Sequence, residues 1–305
     1  MIRLVACLAF ATAFSAPPLQ RFRSGVEAVR VDVLVTDGNR PVVGLAAQDF
    51  EVRDAGVIQT IESITLTDVP ISMMLALDTS ASVAGSTLER LKGGVISALA
   101  MLQAQDRAAL ITFSSDLRVG HDWSADIPSV TRAVADFRGA GGTALWDATF
   151  TALIMGDPSP TVRRLIVVFS DGDDTASWLP RQAVIEKAKR TDAVLYGVSL
   201  RGMAAQNHGA TLMGRSGIEL SGNEAPLWLE SRFLADVADA TGGTEHIVGT
   251  SQGLQNTFEK IVTEFRTRYV LTYMPRGVET AGWHPLDVKL KSKRGTVRAR
   301  RGYSR

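Results

Sequence analysis

Four apolar runs constrain this chain more than any other feature: SMMLALD (Ser72–Asp78), AALITF (Ala108–Phe113), LIVVFSD (Leu165–Asp171) and AVLYGVSL (Ala193–Leu200). Each is far too short to span a bilayer and too uniformly apolar to leave one face in water, so each reads as a strand covered on both sides. Between them lie segments with helical spacing. Leu88, Leu91, Val95, Leu99 and Leu102 form one apolar face, and Ser86 and Glu89 have the spacing of a capping box in front of it. Two later stripes follow, Leu229, Phe233, Leu234 and Val237, then Leu254, Phe258, Ile261, Val262 and Phe265. Strand and helix in alternation predict a largely parallel α/β sheet over residues 69–268.

The flanks have a different texture. Residues 25–68 alternate apolar and polar positions in VRVDVLVTDGNRPVVGL, with a turn at Asp37-Gly38-Asn39, and DFEVRD and IQTIESITLT are further short strands. After Arg268 the same texture returns in YVLTYMP, HPLDVKLKS and TVRARRGY, which read as three strands over residues 269–305. A β unit built from both chain ends around an inserted α/β domain is the economical arrangement. Residues 201–226, rich in Gly, Ser and Asn, read as an unusually long loop.

At 305 residues, 45% hydrophobic and 21% charged, the chain has ample material for a core, and its formal net charge of +1 gives no bulk attraction to nucleic acid or an anionic membrane. The first residues differ. Arg3 precedes an apolar segment from Leu4 to Phe10, then small residues and Pro17-Pro18, the pattern of a secretory leader over residues 1–16 with cleavage between Ala13 and Ala16. Cys7 is the only cysteine and lies too near the start for lipoprotein processing. A chain that loses it has no disulfide framework and no thiol chemistry. The expectation is an exported protein, periplasmic or extracellular, without a membrane span.

The first apolar run ends in Asp78, and Ser80 and Ser82 follow at alternate positions. Catalysis, ion binding and helix capping all use such residues. In open α/β sheets, ligands bind beyond the carboxyl ends of the strands, and two more segments fall at such places. GAGGTALWDAT puts Thr143 after two glycines and before a helical stretch, and LIVVFSDGDDT ends a buried run with Asp171, Asp173 and Asp174. Two carboxylates and three hydroxyls are all oxygen donors, a set suited to a hard divalent cation, Mg²⁺ or Mn²⁺. Such a cation keeps an open coordination position, so a partner's carboxylate can complete it. Singly, each piece is commoner as a loop or a helix cap; their shared context is what points to a site.

Together, LALDTSAS, GGTALWDA and VVFSDGDD resemble the von Willebrand factor type A domain and its metal-ion-dependent adhesion site. The resemblance covers roughly Pro70 to Arg268 and implies a doubly wound, mostly parallel sheet with helices on both faces. It implies that Ser80, Ser82 and Thr143 supply hydroxyl ligands and that Asp78 and Asp171 act directly or through water. VDVLVTDGNRPVVGLAAQDFEVRDAG and the ending VRARRGY resemble a bacterial exported subfamily of these domains. Asp173 and Asp174 read as solvated loop residues, with a role behind the ligands as the alternative. Trp178 reads as an exposed aromatic on the rim, and Trp146 as core.

Rival chemistries are weak. GTSQG (Gly249–Gly253) matches a nucleophile elbow, but His284 then precedes Asp287, the wrong order for that triad, so Ser251 reads as an N-cap. His121, His208, His246 and His284 have no metal-ligand spacing, and His246 reads as a satisfied structural histidine. The tail is basic, with Lys289, Lys291, Lys293, Arg294, Arg298, Arg300 and Arg301, but Val288 and Leu290 alternate with lysines and Val297 and Ala299 with arginines, the pattern of a strand with one solvated, charged face. The sequence therefore points to a non-enzymatic module that captures a protein partner's acidic group through a bound divalent metal. The alternative is an envelope assembly component whose metal only stabilises loops. Partner identity and oligomeric state are not encoded in any motif.

Overall fold

The structure, a computed structural model, describes residues 28–38, 40–66, 69–157, 162–200, 232–291 and 294–305. The expected leader with Cys7, the 201–226 loop, His208, Leu229 and Lys293 lie outside the described residues.

The four apolar runs form β6 (Ile71–Asp78), β7 (Arg107–Phe113), β9 (Arg163–Ser170) and β10 (Val194–Leu200). With β8 (Leu117–Ser124) and β11 (Glu245–Val248) they build a six-stranded sheet in the order β11-β10-β9-β6-β7-β8. Every neighbouring pair is parallel except β7 and β8. The chain runs from β6 outward to β7 and β8, then crosses back to β9 on the other side, so strand order reverses beside β6. Open α/β sheets bind ligands beside such a reversal, here at the carboxyl ends of β6 and β9.

Among the described residues, six helices cover the sheet: α1 (Ser86–Ala100), α2 (Ile127–Val134), α3 (Leu145–Ile154), α4 (Arg181–Lys189), α5 (Phe233–Thr241) and α6 (Leu254–Arg266). Alternate residues of β6 point to opposite sides. Met73, Leu75 and Leu77 join Leu91, Val95, Val130, Phe258 and Phe265 in one core, under α1, α2 and α6. Met74 and Ala76 join Ala148, Leu153, Val184, Phe233 and Val237 in the other, under α3, α4 and α5. The sheet is thus doubly wound, as the resemblance implies.

The capping box expected at Ser86 does not form. Gly85, at φ +75°, is the N-cap, so Ser86 is already inside the helix, and Glu89 pairs instead with Lys92 at 3.0 Å. The left-handed backbone that lets Gly85 turn from the 3-10 turn Ala81–Val83 into α1 is one that side-chain-bearing residues avoid. Ser251 likewise is no N-cap of α6: it opens a 3-10 turn, and Gly253 is the cap.

The chain ends build two more sheets. β1 (Val29–Asp37) pairs antiparallel with β2 (Arg40–Pro41), β12 (Tyr269–Tyr273) and β14 (Thr296–Arg298), and β12 also pairs with β5 (Ile61–Thr65). The other sheet runs β15-β13-β3-β4, from Gly302–Ser304, Trp283–Leu290, Phe50–Asp54 and Val57–Gln59. Val31, Val33, Phe50, Val52, Tyr269, Leu271 and Tyr303 form the core they share. The last expected strand, TVRARRGY, is split between the two sheets as β14 and β15, because the chain turns at residues 299–301. Lys289 stays on a solvated face, whereas Arg300 is drawn partly inside.

A buried carboxylate fastens these sheets. Asp54, fully buried, accepts hydrogen bonds from the Tyr273 and Tyr303 hydroxyls at 2.9 and 2.7 Å and lies 3.0 Å from His284 Nδ1. Burial and the Asp54 contact push the Tyr303 phenol up to about 12 and raise Tyr273 further. A second buried group joins this unit to the α/β sheet. The Arg268 guanidinium, between α6 and β12, donates to the Tyr196 hydroxyl and to the carbonyls of Asp32, Gly242 and Arg298. His246 is structural, as expected: it stacks on Tyr196 with ring centres 6.0 Å apart, and its buried Nε2 faces the Glu264 carboxylate at 3.8 Å without a hydrogen bond.

Candidate metal centre

The five oxygen-bearing residues singled out from the sequence come from three loops at the reversal point. β6 ends in Asp78, whose side chain is fully buried, and the chain then turns through Ser80 and Ser82. The Ser80 backbone N–H donates to Asp78 Oδ1 at 2.8 Å, folding the loop back over the carboxylate. The Ser80 and Ser82 hydroxyls lie 3.0 Å apart, and Ser82 donates to Asp171 Oδ1 at 2.8 Å. Asp171 directly follows β9, the neighbour of β6, so strand pairing brings the two carboxylates to one place.

Thr143 joins through its backbone. Its N–H donates to Thr175 Oγ1 at 2.9 Å, and its carbonyl accepts from the Thr175 and Ala176 N–H groups at 2.8 and 3.1 Å. The preceding loop is tied to the Ser80 turn by Ala81 N–H to the Gly141 carbonyl at 3.0 Å and Ala140 N–H to the Thr79 carbonyl at 2.9 Å. Gly141 has φ +83°, and a Cβ there would sit 2.9 Å from Ser115 Oγ, so both conformation and space require glycine. Asp78, Ser80 and Thr143 are buried, Asp171 is half-buried and Ser82 is exposed, so the group opens to solvent on the Ser82 side.

The electrostatics of the group are unfavourable without a counter-charge. Burial pushes the Asp78 carboxyl up to about 6, against hydrogen bonds from Ser80 and Ser170 that favour its ionised form, and the Asp171 charge adds repulsion. Burial also raises Asp171, opposed by the Ser82 hydrogen bond. Two desolvated carboxylates among hydroxyls fit a hard divalent cation, which would relieve both penalties. Among the described residues no three His, Cys, Asp or Glu side chains cluster to hold an ion. A metal centre built here therefore depends on the hydroxyls.

Two supporting residues, Ser170 and Asp147, gave no sequence signal. Ser170, the last residue of β9, donates to Asp78 Oδ2 at 2.7 Å. Asp174 is half-buried and accepts from the Trp146 N–H at 3.1 Å, at the start of α3, so it is not the solvated loop residue expected, while Asp173 is exposed. Asp147, within the first turn of α3, accepts from the Trp178 and Leu179 N–H groups at 2.9 Å each. These bonds pin the loop that carries Trp178, whose side chain is 92% exposed. Trp146 packs against Phe233 as expected, ring centres 6.2 Å apart.

Comparison with known proteins supports the fold. Residues 73–173 match the von Willebrand factor type A domain family. No curated protein sequence matches the chain. Among solved structures, a von Willebrand factor type A protein from Catenulispora acidiphila is similar over 86% of this chain and 74% of its own, with TM-score 0.51 and 12% identity. An aerotolerance-related membrane protein from Bacteroides fragilis is similar over 64% and 99%, with TM-score 0.47 and 19% identity. The PilB minor pilin from Streptococcus sanguinis is similar over 65% and 62%, with TM-score 0.48 and 13% identity. At these identities the likeness is one of fold. The α/β sheet that carries Asp78, Thr143 and Asp171 thus has the fold of a von Willebrand factor type A domain.

Proposed function

We propose that the protein is an exported, non-enzymatic binding module in which Asp78, Ser80, Ser82, Thr143 and Asp171 hold Mg²⁺ or Mn²⁺ and a protein partner's carboxylate completes its coordination. The observation that carries this reading is the hydrogen-bonded run of oxygens from Ser80 through Ser82 to Asp171, beside the buried Asp78, at the strand-order reversal. When bound, the cation supplies an electrophilic position for an incoming carboxylate. The residues do the rest: Asp78 and Asp171 neutralise the ion, the Ser80, Ser82 and Thr143 hydroxyls add neutral donors, and the open Ser82 side admits the partner. Few charges around the ion leave it attractive to an outside anion. A von Willebrand factor type A domain suits this role, since the fold often serves adhesion and protein contact. Trp178, exposed on a loop whose backbone Asp147 holds, offers apolar surface for the partner. Among the described residues no helix is long and apolar enough to cross a membrane.

The test is calorimetric titration of Mg²⁺ and Mn²⁺ into wild-type protein and Asp78→Ala, repeated with a carboxylate-bearing peptide present. Saturable metal binding lost in the variant, and peptide binding lost in EDTA, support the reading. Metal binding that raises stability without enabling any carboxylate to bind favours the assembly component with a loop-stabilising metal. Wild type that binds neither ion refutes both.

A further inference from the structure

At the other end of β9 from Asp171 lies a second concentration of charge, of opposite sign. An opening of about 340 Å³ is lined by Arg30, Arg164, Lys187, Arg190, Arg300 and Arg305, against one acidic side chain, Asp192. Asp171 lies seven residue steps beyond Arg164 along the strand, about 23 Å at 3.3 Å per residue, so this opening is separate from the candidate metal centre. The chain as a whole carries a formal net charge of only +1, so such an excess of cations is a local feature.

The cations come from separate elements: Arg164 from the start of β9, Lys187 and Arg190 from the end of α4, and Arg300 from the turn between β14 and β15. Arg164 is steadied by Asp192 at 3.2 Å and the Leu153 carbonyl at 3.5 Å. Arg300 is more constrained. Its Nη2 donates to the Arg30 carbonyl at 2.8 Å, its guanidinium lies 5.4 Å from the Tyr303 ring centre, and its buried Nε has no hydrogen-bond partner. Burial holds the Arg300 guanidinium below the ordinary arginine range. Fixing guanidinium groups around a shared opening costs electrostatic energy that an anion would offset, and their planar forks match oxyanions. Cations approaching from several elements suit a tetrahedral, multiply charged group better than a planar carboxylate.

We propose that this opening is a binding site for a phosphate-bearing anion, held by Arg164, Lys187, Arg190 and Arg300. Its volume falls at the small end of the range for small-molecule sites, large enough for a diphosphate or a phosphorylated headgroup. The phosphate can belong to a soluble molecule or to a lipid headgroup.

The experiment is calorimetric titration of sodium pyrophosphate into the full chain, with EDTA present so that no metal bridges the anion to Asp78. Saturable binding of one pyrophosphate per chain is expected, at least tenfold weaker in Arg164→Ala/Arg190→Ala and unchanged in Asp78→Ala. Both arginines are partly exposed, and unaltered circular dichroism and melting check that the variant folds; Arg190→Ala alone is the second variant. Wild type that does not saturate, or binding equal in wild type and both arginine variants, overturns the proposal. Flotation with vesicles of phosphatidylglycerol in phosphatidylcholine separates the sources. Flotation lost in the arginine variants assigns the phosphate to a lipid, and pyrophosphate binding without flotation assigns it to a soluble molecule. The outcome is independent of whether the candidate metal centre binds an ion.

Discussion

Replacing Asp78 by Asn should stabilise the metal-free protein at neutral pH, although it removes a group at the heart of the candidate metal centre. Asp78 is fully buried, and its carboxyl is raised from 3.8 to about 6 chiefly by that burial. A raised acid binds more protons folded than unfolded between these values. Its stabilising contribution is therefore complete below pH 3.8, is lost as pH rises through about 6, and is absent at neutrality. The rise from 3.8 to about 6, at about 1.36 kcal/mol per pH unit, sets an upper bound of about 3 kcal/mol for the penalty of the ionised form. Asparagine mimics the neutral carboxyl. Its Oδ1 can still accept from the Ser80 N–H, and its amide can donate to the Ser170 hydroxyl in place of the bond Ser170 now gives. In EDTA at pH 7.5, urea unfolding followed by circular dichroism should show Asp78→Asn more stable by up to about 3 kcal/mol, with the gain shrinking toward zero near pH 4. Adding Mg²⁺ should then stabilise wild type by mass action and leave the variant unmoved. An Asp78→Asn protein less stable than wild type in EDTA at pH 7.5 would refute the reasoning, because it would mean that the carboxylate is already compensated without a cation.

Other outcomes follow from the same structure. Asp54→Ala strands three buried partners, Tyr273, Tyr303 and His284, and should cost about 3–5 kcal/mol in chemical denaturation. In ultraviolet titration, one tyrosine should ionise near pH 12 and be lost from that position in Tyr303→Phe. The contribution of this phenol to stability should be present below pH 10 and disappear as pH rises through 12. Asp147→Ala removes the acceptor of the Trp178 and Leu179 N–H groups, and hydrogen exchange at those amides should quicken about tenfold, the rate equivalent of about 1.4 kcal/mol, with little change elsewhere. Phe258→Ala, in the core between α6 and the sheet, should cost about 3–5 kcal/mol by calorimetry.

Which features were legible in the sequence follows from how each is stabilised. β6, β7, β9 and β10 are buried on both faces, so their composition alone announces them. β8 is not legible in the sequence because it is an edge strand whose residues, LRVGHDWS, are mostly exposed or half-buried, held by pairing with β7 rather than by a core of their own. The helix faces of α1 and α6 were legible from their period, but the cap of α1 was not, since a glycine with positive φ does the work expected of Ser86. At the candidate metal centre, Asp78, Ser80, Ser82, Thr143 and Asp171 stood out because each falls at a strand end or helix start. Ser170 did not, because a serine closing an apolar strand has no distinctive pattern until β9 lies beside β6.

The sequence by itself determined the parallel α/β class, the alternation of strand and helix, the oxygen-rich loops and the β texture of both ends, because those depend on local period and composition. Only the tertiary structure decided which distant groups meet: Asp171 with Ser82, Asp147 with the Trp178 loop, Asp54 with His284 and two tyrosines, and Arg300 with Arg164 around one opening. Those pairings join residues up to 249 positions apart, as in the Tyr303 bond to Asp54. They are set by strand order and by the desolvation of buried charge, and neither leaves a trace in the spacing of neighbouring residues.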